Sequence, residues 1–153
     1  MLPIQKYLIL FYLVINFIVF ATGFYESKYK KKAFGLTPHL AILGVFAWGD
    51  AVVFGLFWVG VSIASLVTGD WYLFLLVISV FWFIRSLGET IYWFNQQFST
   101  VRSDSNKPEN LPFHSVFHND SIWYIYQIVW QCISVISIIL SIYFGNLWVS
   151  SLL

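Results

Sequence analysis

The chain has 153 residues, of which 59% are hydrophobic, 22% aromatic and only 10% charged. Soluble domains carry about 25% charged residues, so this composition leaves too little polar surface to cover a water-soluble globule. The formal net charge of +1 gives no basic face for nucleic acid, which we exclude as a partner. The single cysteine, Cys132, can form neither an internal disulfide nor a cysteine metal cluster.

Four segments are long and apolar enough to cross a lipid bilayer as helices. A hydrocarbon core about 30 Å thick requires about 20 apolar residues in a helix. In chain order, the predicted spans are residues 7–25, 39–67, 71–98 and 122–144. Because the connections are short, the sequence predicts an all-α fold, an integral membrane four-helix bundle that forms one membrane domain over residues 1–153.

The distribution of positive charge predicts the orientation of these spans. The first and third loops carry nearly all of the basic residues: Lys28, Lys30, Lys31, Lys32, Arg102 and Lys107. The turn around Gly69 has no basic residue. Cytoplasmic loops are enriched in lysine and arginine, so we expect the lysine-rich loop to be cytoplasmic and both termini to lie outside. The lysine run also predicts attraction to anionic lipids.

The second span carries three small residues at four-residue intervals, Ala47, Ala51 and Gly55. Small residues at this spacing let another helix backbone approach closely. The pattern favours packing within the bundle. The alternative is a face that joins copies of the chain, or other subunits, into a larger membrane complex.

Polar residues recur at similar depths in all four spans. At 1.5 Å per residue from the predicted cytoplasmic ends, one polar residue of each span lies about 14 to 16 Å deep: Asn16, Asp50, Glu89 and Gln131. Span four also places Gln127, Gln131, Ser134 and Ser141 on one stripe. A polar stripe on a membrane helix is expected to face the protein interior or a wet cavity.

The second and third spans are joined by a tight turn and should be antiparallel neighbours. Counted from this turn, Asp50 is level with a helical turn that holds Arg85 and Glu89. We expect these three side chains to form one cluster, with a surplus negative charge unless one carboxyl holds a proton. Such a cluster indicates a site that handles protons or cations, or the floor of a substrate pocket. The alternative is a polar clasp that fixes helix register.

The three histidines lie at the predicted cytoplasmic face. His114, His118 and Asp120 are spaced so that a helix would present both imidazoles on one side, and His39 is a candidate further ligand. Residues 111–118 are a candidate amphipathic helix at the membrane surface. Two histidines without a certain third ligand are a weak indication of a divalent metal, and the alternative is a simple polar face.

Three functions are compatible with these patterns. The first is a transporter, channel or proton- or cation-handling subunit that works through Asp50, Arg85 and Glu89. The second is a structural or accessory subunit of a membrane complex. The third is a small metal-dependent membrane enzyme, which ranks last because the loops are too short for a soluble catalytic domain. The sequence has no nucleotide-binding glycine loop, Gly-x-Ser-x-Gly or His-Glu-x-x-His motif.

Overall fold

A computed structural model describes residues 1–100 and 104–153 of the chain. It is 79% helical, and these residues contain no strand. The long helices are α1 (Pro3–Lys28), α2 (Trp48–Thr68), α3 (Trp71–Phe98) and α4 (Ser121–Leu152). All four are long and apolar enough to cross a membrane. The chain divides into two compact units, Met1–Val77 with Leu147–Leu153, and Ile78–Asn146.

Helix α3 occupies the range that the hydropathy indicates, whereas α1 and α4 are longer than expected. Pro3 stands in the first turn of α1, where its missing N–H would have no helical partner and its fixed φ suits the helix. At the far end of α4, helical geometry continues through the Gly145–Asn146 pair to Leu152. A window chosen for hydrophobicity ends before these residues, because polar and small residues at a helix end lower its mean hydropathy.

In the first unit, α2 packs against α1 through its small residues. A Cβ atom added at Gly55 would lie 2.9 Å from the Cα of Phe20. One added at Gly23 would lie 2.6 Å from the Cβ of Ala51. Phe20 of α1 lies beside Gly55 of α2, and the later residue Gly23 lies beside the earlier residue Ala51. The two helices are therefore antiparallel. Ala51 and Gly55, two of the three residues of the predicted small-residue face, therefore contact the chain's own first helix.

The predicted start of the second span has to be corrected. Residues Pro38–Leu43 form a 3-10 helix that ends at Gly44, whose φ of 74° is left-handed. Glycine adopts this conformation without the clash that a Cβ would cause, and it commonly ends a helix. Ala47 is extended, with φ of −138°, and α2 begins only at Trp48. Hydrophobicity alone does not distinguish this apolar segment from the helix that follows it.

The first turn of α2 is held by the preceding loop. The backbone N–H groups of Trp48 and Gly49 donate to the carbonyls of Gly35 and Ala33, at 3.1 and 2.8 Å. The first N–H groups of a helix have no partner within it, so these bonds satisfy two of them. To form these bonds, the chain must turn back between Gly35 and Trp48. Residues 39–47 therefore cannot form one straight helix with α2.

In the second unit, α3 and α4 are antiparallel and meet through aromatic rings. Trp93 stacks on Tyr126 with 4.6 Å between ring centroids. Trp93, Ile122 and Trp123 form a buried cluster against which Leu111 and Phe117 pack. This packing anchors the loop before α4 to the ends of both helices.

Residues 111–118 form successive turns rather than the predicted amphipathic helix. Pro112 has no N–H to donate, and Phe113 adopts a left-handed φ of 68°, which a regular α-helix does not allow. The apolar residues Leu111 and Phe117 are turned onto the aromatic cluster instead. The apolar residues of this short segment are therefore explained by their packing on the aromatic cluster and do not indicate a helix.

Candidate functional site

An ion pair occupies the middle of α3. The Nη2 atom of Arg85 lies 3.2 Å from Oε1 of Glu89, and the two side chains are 18% and 15% exposed. Arg85 is the fifteenth and Glu89 the nineteenth of the 28 residues of α3, so the pair lies in the central part of the helix. The one-turn spacing brings the two side chains together on one face.

Hydroxyl groups tie this part of α3 to α4. The Oγ atoms of Ser86 and Ser134 are 2.8 Å apart, and Ser86 is fully buried. Thr90 donates its hydroxyl to the carbonyl of Ser86 at 2.9 Å. The turn that carries Arg85 and Glu89 is therefore fixed to the neighbouring helix on one side, which restricts the positions that the ion pair can adopt.

The two glutamines of α4 have different environments. Gln97 of α3 donates its Nε2 to Oε1 of Gln127 at 2.7 Å. Gln131 is exposed, and no hydrogen bond to it is found in the described part of the chain. It is offset about 40° around the helix from Gln127, whereas Ser134 is offset by about 20° on the other side. The predicted stripe thus faces α3 at Gln127 and Ser134, and Gln131 lies at its outer edge.

Asn16 is fully buried on α1. Its Nδ2 donates to the carbonyl of Tyr12 at 2.9 Å. Its Oδ1 accepts no hydrogen bond from the residues that the structure describes. The ring of Tyr12 meets Trp58 of α2 edge-on at 5.3 Å, so this amide lies within the α1–α2 interface. A buried acceptor without a partner costs roughly 1–3 kcal/mol.

Asp50 is in the first turn of α2 rather than deep in a span. Its Oδ2 accepts the backbone N–H of Phe46 at 3.1 Å. Because α2 begins at Trp48, the depth calculated from residue 39 does not apply to this carboxylate. A negative charge in the first turn is favoured by the helix dipole. The contact of Asp50 with Arg85 and Glu89 stays a prediction.

His114 and His118 lie in the turns before α4, and His39 lies in the 3-10 helix Pro38–Leu43. The rings of His114 and His118 are 5.8 Å apart between centroids, and His39 meets Trp48 edge-on at 6.1 Å. Asp120 immediately precedes α4. Among residues 1–100 and 104–153, no three His, Cys, Asp or Glu side chains are grouped to hold a metal.

A cavity of about 610 Å³ lies in the first unit, and no pattern in the sequence indicates it. It is lined by the start of α1, residues 68–72 and the end of α4, with polar groups from Gln5, Thr68 and Asp70. Asp70 also accepts the N–H of Leu73 at 3.0 Å and so caps α3. These segments are far apart in sequence, and no local spacing connects them.

Comparison with known proteins identifies no relative. No family model, no curated protein and no solved structure matches the chain. Its function has to be inferred from its own residues. Among these, the Arg85–Glu89 pair is the most informative, because charged groups in the middle of an apolar helix are costly and commonly mark function.

Proposed function

We propose that the four apolar helices cross a lipid bilayer and that the chain is a small transport-type subunit that handles protons or cations at Arg85 and Glu89. The observation that carries this proposal is the position of the ion pair in the central part of α3. Ionisable residues in the interior of membrane helices are rare, and they commonly line the paths of ions and protons.

The chemistry of the pair suits exchange of a proton or a cation. With Glu89 ionised, the two charges cancel and the pair is neutral. Protonation of Glu89 removes its attraction for the guanidinium and raises the net charge of the pair to +1. Two states of different charge thus differ in their preferred partners, which is the property that a carrier site requires.

The orientation follows from the basic residues. Lys28, Lys30, Lys31 and Lys32 follow or end α1, and Lys107 belongs to the α3–α4 loop. Arg102 contributes to the same loop but lies outside the described residues. With these residues on the cytoplasmic side, both termini face the other side of the membrane.

The proposal is tested by Glu89→Gln in proteoliposomes under an imposed pH or cation gradient. The amide keeps the shape of Glu89 but neither ionises nor exchanges a proton, so flux should be lost while the protein remains folded. Glu26→Gln is the matched control, since Glu26 also pairs with a cation one helical turn away, Lys30, at 2.6 Å. It lies near the end of α1 and should leave flux unchanged. Wild-type flux in Glu89→Gln would refute the assignment.

A second candidate, an accessory subunit of a membrane complex, is favoured by the environment of Gln131. This residue is exposed on α4 and lies about 8 Å along the axis from the midpoint of Ser121–Leu152. In a bilayer its carboxamide would face hydrocarbon, where an unpaired polar group is costly. Interhelical bonds from glutamine stabilise association of membrane helices, so a partner helix over Gln131 would remove this cost.

This candidate is tested by the mass of the purified complex for Gln131→Leu. If α4 binds a partner through Gln131, wild type should be heavier than the 17.8 kDa chain and Gln131→Leu should dissociate. Gln127→Leu is the matched control, because its partner Gln97 belongs to the same chain. It should lower the melting temperature without changing the mass. A monomeric wild type would contradict the assembly through α4.

A further inference from the structure

The loop between α1 and α2 combines exposed apolar side chains with lysines. The exposed fraction is 96% for Phe34, 82% for Ile42 and 65% for Leu36. Lys31 and Lys32 precede Phe34 with only Ala33 between them, and both are also exposed. Large apolar side chains with so little protein around them are unfavourable in water, but they are suited to the boundary between lipid headgroups and acyl chains.

Two of the four lysines already have partners, and two remain available. Lys30 pairs with Glu26 at 2.6 Å, and this hydrogen bond raises the pKa of Lys30 above its ordinary value. The ammonium of Lys28 lies over the ring of Phe24, 5.1 Å from its centroid. Within the described residues, Lys31 and Lys32 have no ion-pair partner. Their charges are free to bind an external anion.

The backbone of this loop is held in place, so the lysines and Phe34 keep their relative positions. The N–H of Lys32 donates to the carbonyl of Glu26 at 3.1 Å, and the N–H of Gly35 donates to the carbonyl of Lys32 at 2.8 Å. The carbonyls of Ala33 and Gly35 accept from the start of α2. Backbone hydrogen bonds of the residues on both sides of Phe34 thus fix the position of this segment.

The acidic groups of this region do not cancel the free charge. Glu26 is already paired with Lys30, and the Asp50 carboxylate accepts the N–H of Phe46 at the start of α2. The same region contains two carboxylates and four lysines, namely Lys28, Lys30, Lys31 and Lys32. The loop and the adjoining helix ends therefore keep a formal charge of +2, which complements an anionic headgroup.

We propose that this loop is a binding site for an anionic phospholipid of the adjacent leaflet. The ammonium groups of Lys31 and Lys32 bind the phosphate, and Phe34 and Ile42 insert between the acyl chains. The proposal does not depend on the function of the Arg85–Glu89 pair. Basic residues near an anionic membrane surface each contribute enough attraction for a roughly fivefold change in affinity. Replacing both lysines should therefore weaken binding roughly 25-fold.

The test is retention of phosphatidylglycerol by the full chain in detergent, measured by native mass spectrometry with phosphatidylcholine as the neutral probe. Wild type should retain phosphatidylglycerol preferentially, and Lys31→Gln/Lys32→Gln should lose that preference. Lys31→Arg/Lys32→Arg keeps both charges and should retain it. Lys6→Gln/Lys107→Gln removes the same charge elsewhere and should leave the preference intact.

A variant with all lysines retained tests the insertion of the aromatic ring. Phe34→Ser should weaken retention of phosphatidylglycerol roughly tenfold, because a buried aromatic side chain is lost from the acyl region. It also gives a result if the double glutamine variant does not fold. Equal retention of the two lipids by wild type would overturn the proposal. So would equal losses in both double glutamine variants, or displacement of phosphatidylglycerol by inorganic phosphate at equal concentration.

Discussion

Replacement of Gly55 by alanine tests the close packing of α1 and α2. The new Cβ would lie 2.9 Å from the N, Cα and Cβ atoms of Phe20. Non-bonded carbon atoms are optimally about 3.5–4.0 Å apart, so the helices must separate by at least half an ångström at this point. Two of the three atoms are backbone, and a change of rotamer at Phe20 cannot relieve the contact.

The magnitude is best isolated by comparison with Gly60→Ala on the same helix. A Cβ at Gly60 would meet nothing within 4 Å. Both substitutions gain the helix propensity of alanine, up to about 1 kcal/mol, and this gain cancels in the comparison. The remaining difference is the cost of overpacking, about 1–3 kcal/mol. For a chain of this size, each 1 kcal/mol corresponds to about 2–4 °C in melting temperature.

The assay is thermal unfolding of the detergent-solubilised protein, followed by the fluorescence of its eight tryptophans. Gly55→Ala should melt several degrees below Gly60→Ala, and Gly60→Ala should equal or exceed wild type. Equal melting temperatures for the two variants would refute the close approach of α1 and α2 at Phe20.

Three further substitutions can be followed by the same melting experiment. Arg85→Ala breaks the ion pair and also truncates a long side chain, so it should destabilise more than Glu89→Gln, which breaks the pair but keeps the shape of the side chain; unchanged melting temperatures in both variants would contradict the ion pair. Asp50→Ala removes the acceptor of the Phe46 N–H and a favourable charge at the start of α2, for a loss of about 0.5–2 kcal/mol, and an unchanged melting temperature would contradict that role. Ser86→Ala breaks the bond to α4 and should cost about 1 kcal/mol, whereas a stabilised variant would show that this hydroxyl does not link the helices.

Hydropathy was sufficient to locate the four long helices but not all of their ends. The range of α3 was predicted because its apolar stretch ends at clear changes of composition. The start of α2 was missed because residues 39–47 are as apolar as the helix itself. Their conformation is decided by Gly44 and by backbone hydrogen bonds to Ala33 and Gly35, and such long-range bonds leave no local signal in the sequence.

The candidate site shows the same division between local and tertiary information. The pairing of Arg85 with Glu89 follows from a four-residue spacing on one helix, and the sequence contains that spacing. The depth assigned to Asp50 depended on the predicted start of α2 and changed with it. Gln131 was assigned to the same stripe as Gln127 because they differ by only about 40° around the helix. The sequence does not show where the buried part of such a stripe ends. In the structure Gln127 faces α3, where it accepts a hydrogen bond from Gln97, and this contact between two helices has no local signal in the sequence.

Crossing of the membrane by all four helices is tested most directly by site-directed cysteine labelling in intact cells and in inverted vesicles. In a Cys132→Ser background, single cysteines are introduced by Lys32→Cys, Thr68→Cys and Glu109→Cys, one in each loop. A membrane-impermeant maleimide should label Thr68→Cys in intact cells and the other two only in inverted vesicles. Labelling of Lys32→Cys and Thr68→Cys from the same side would contradict the membrane-spanning arrangement.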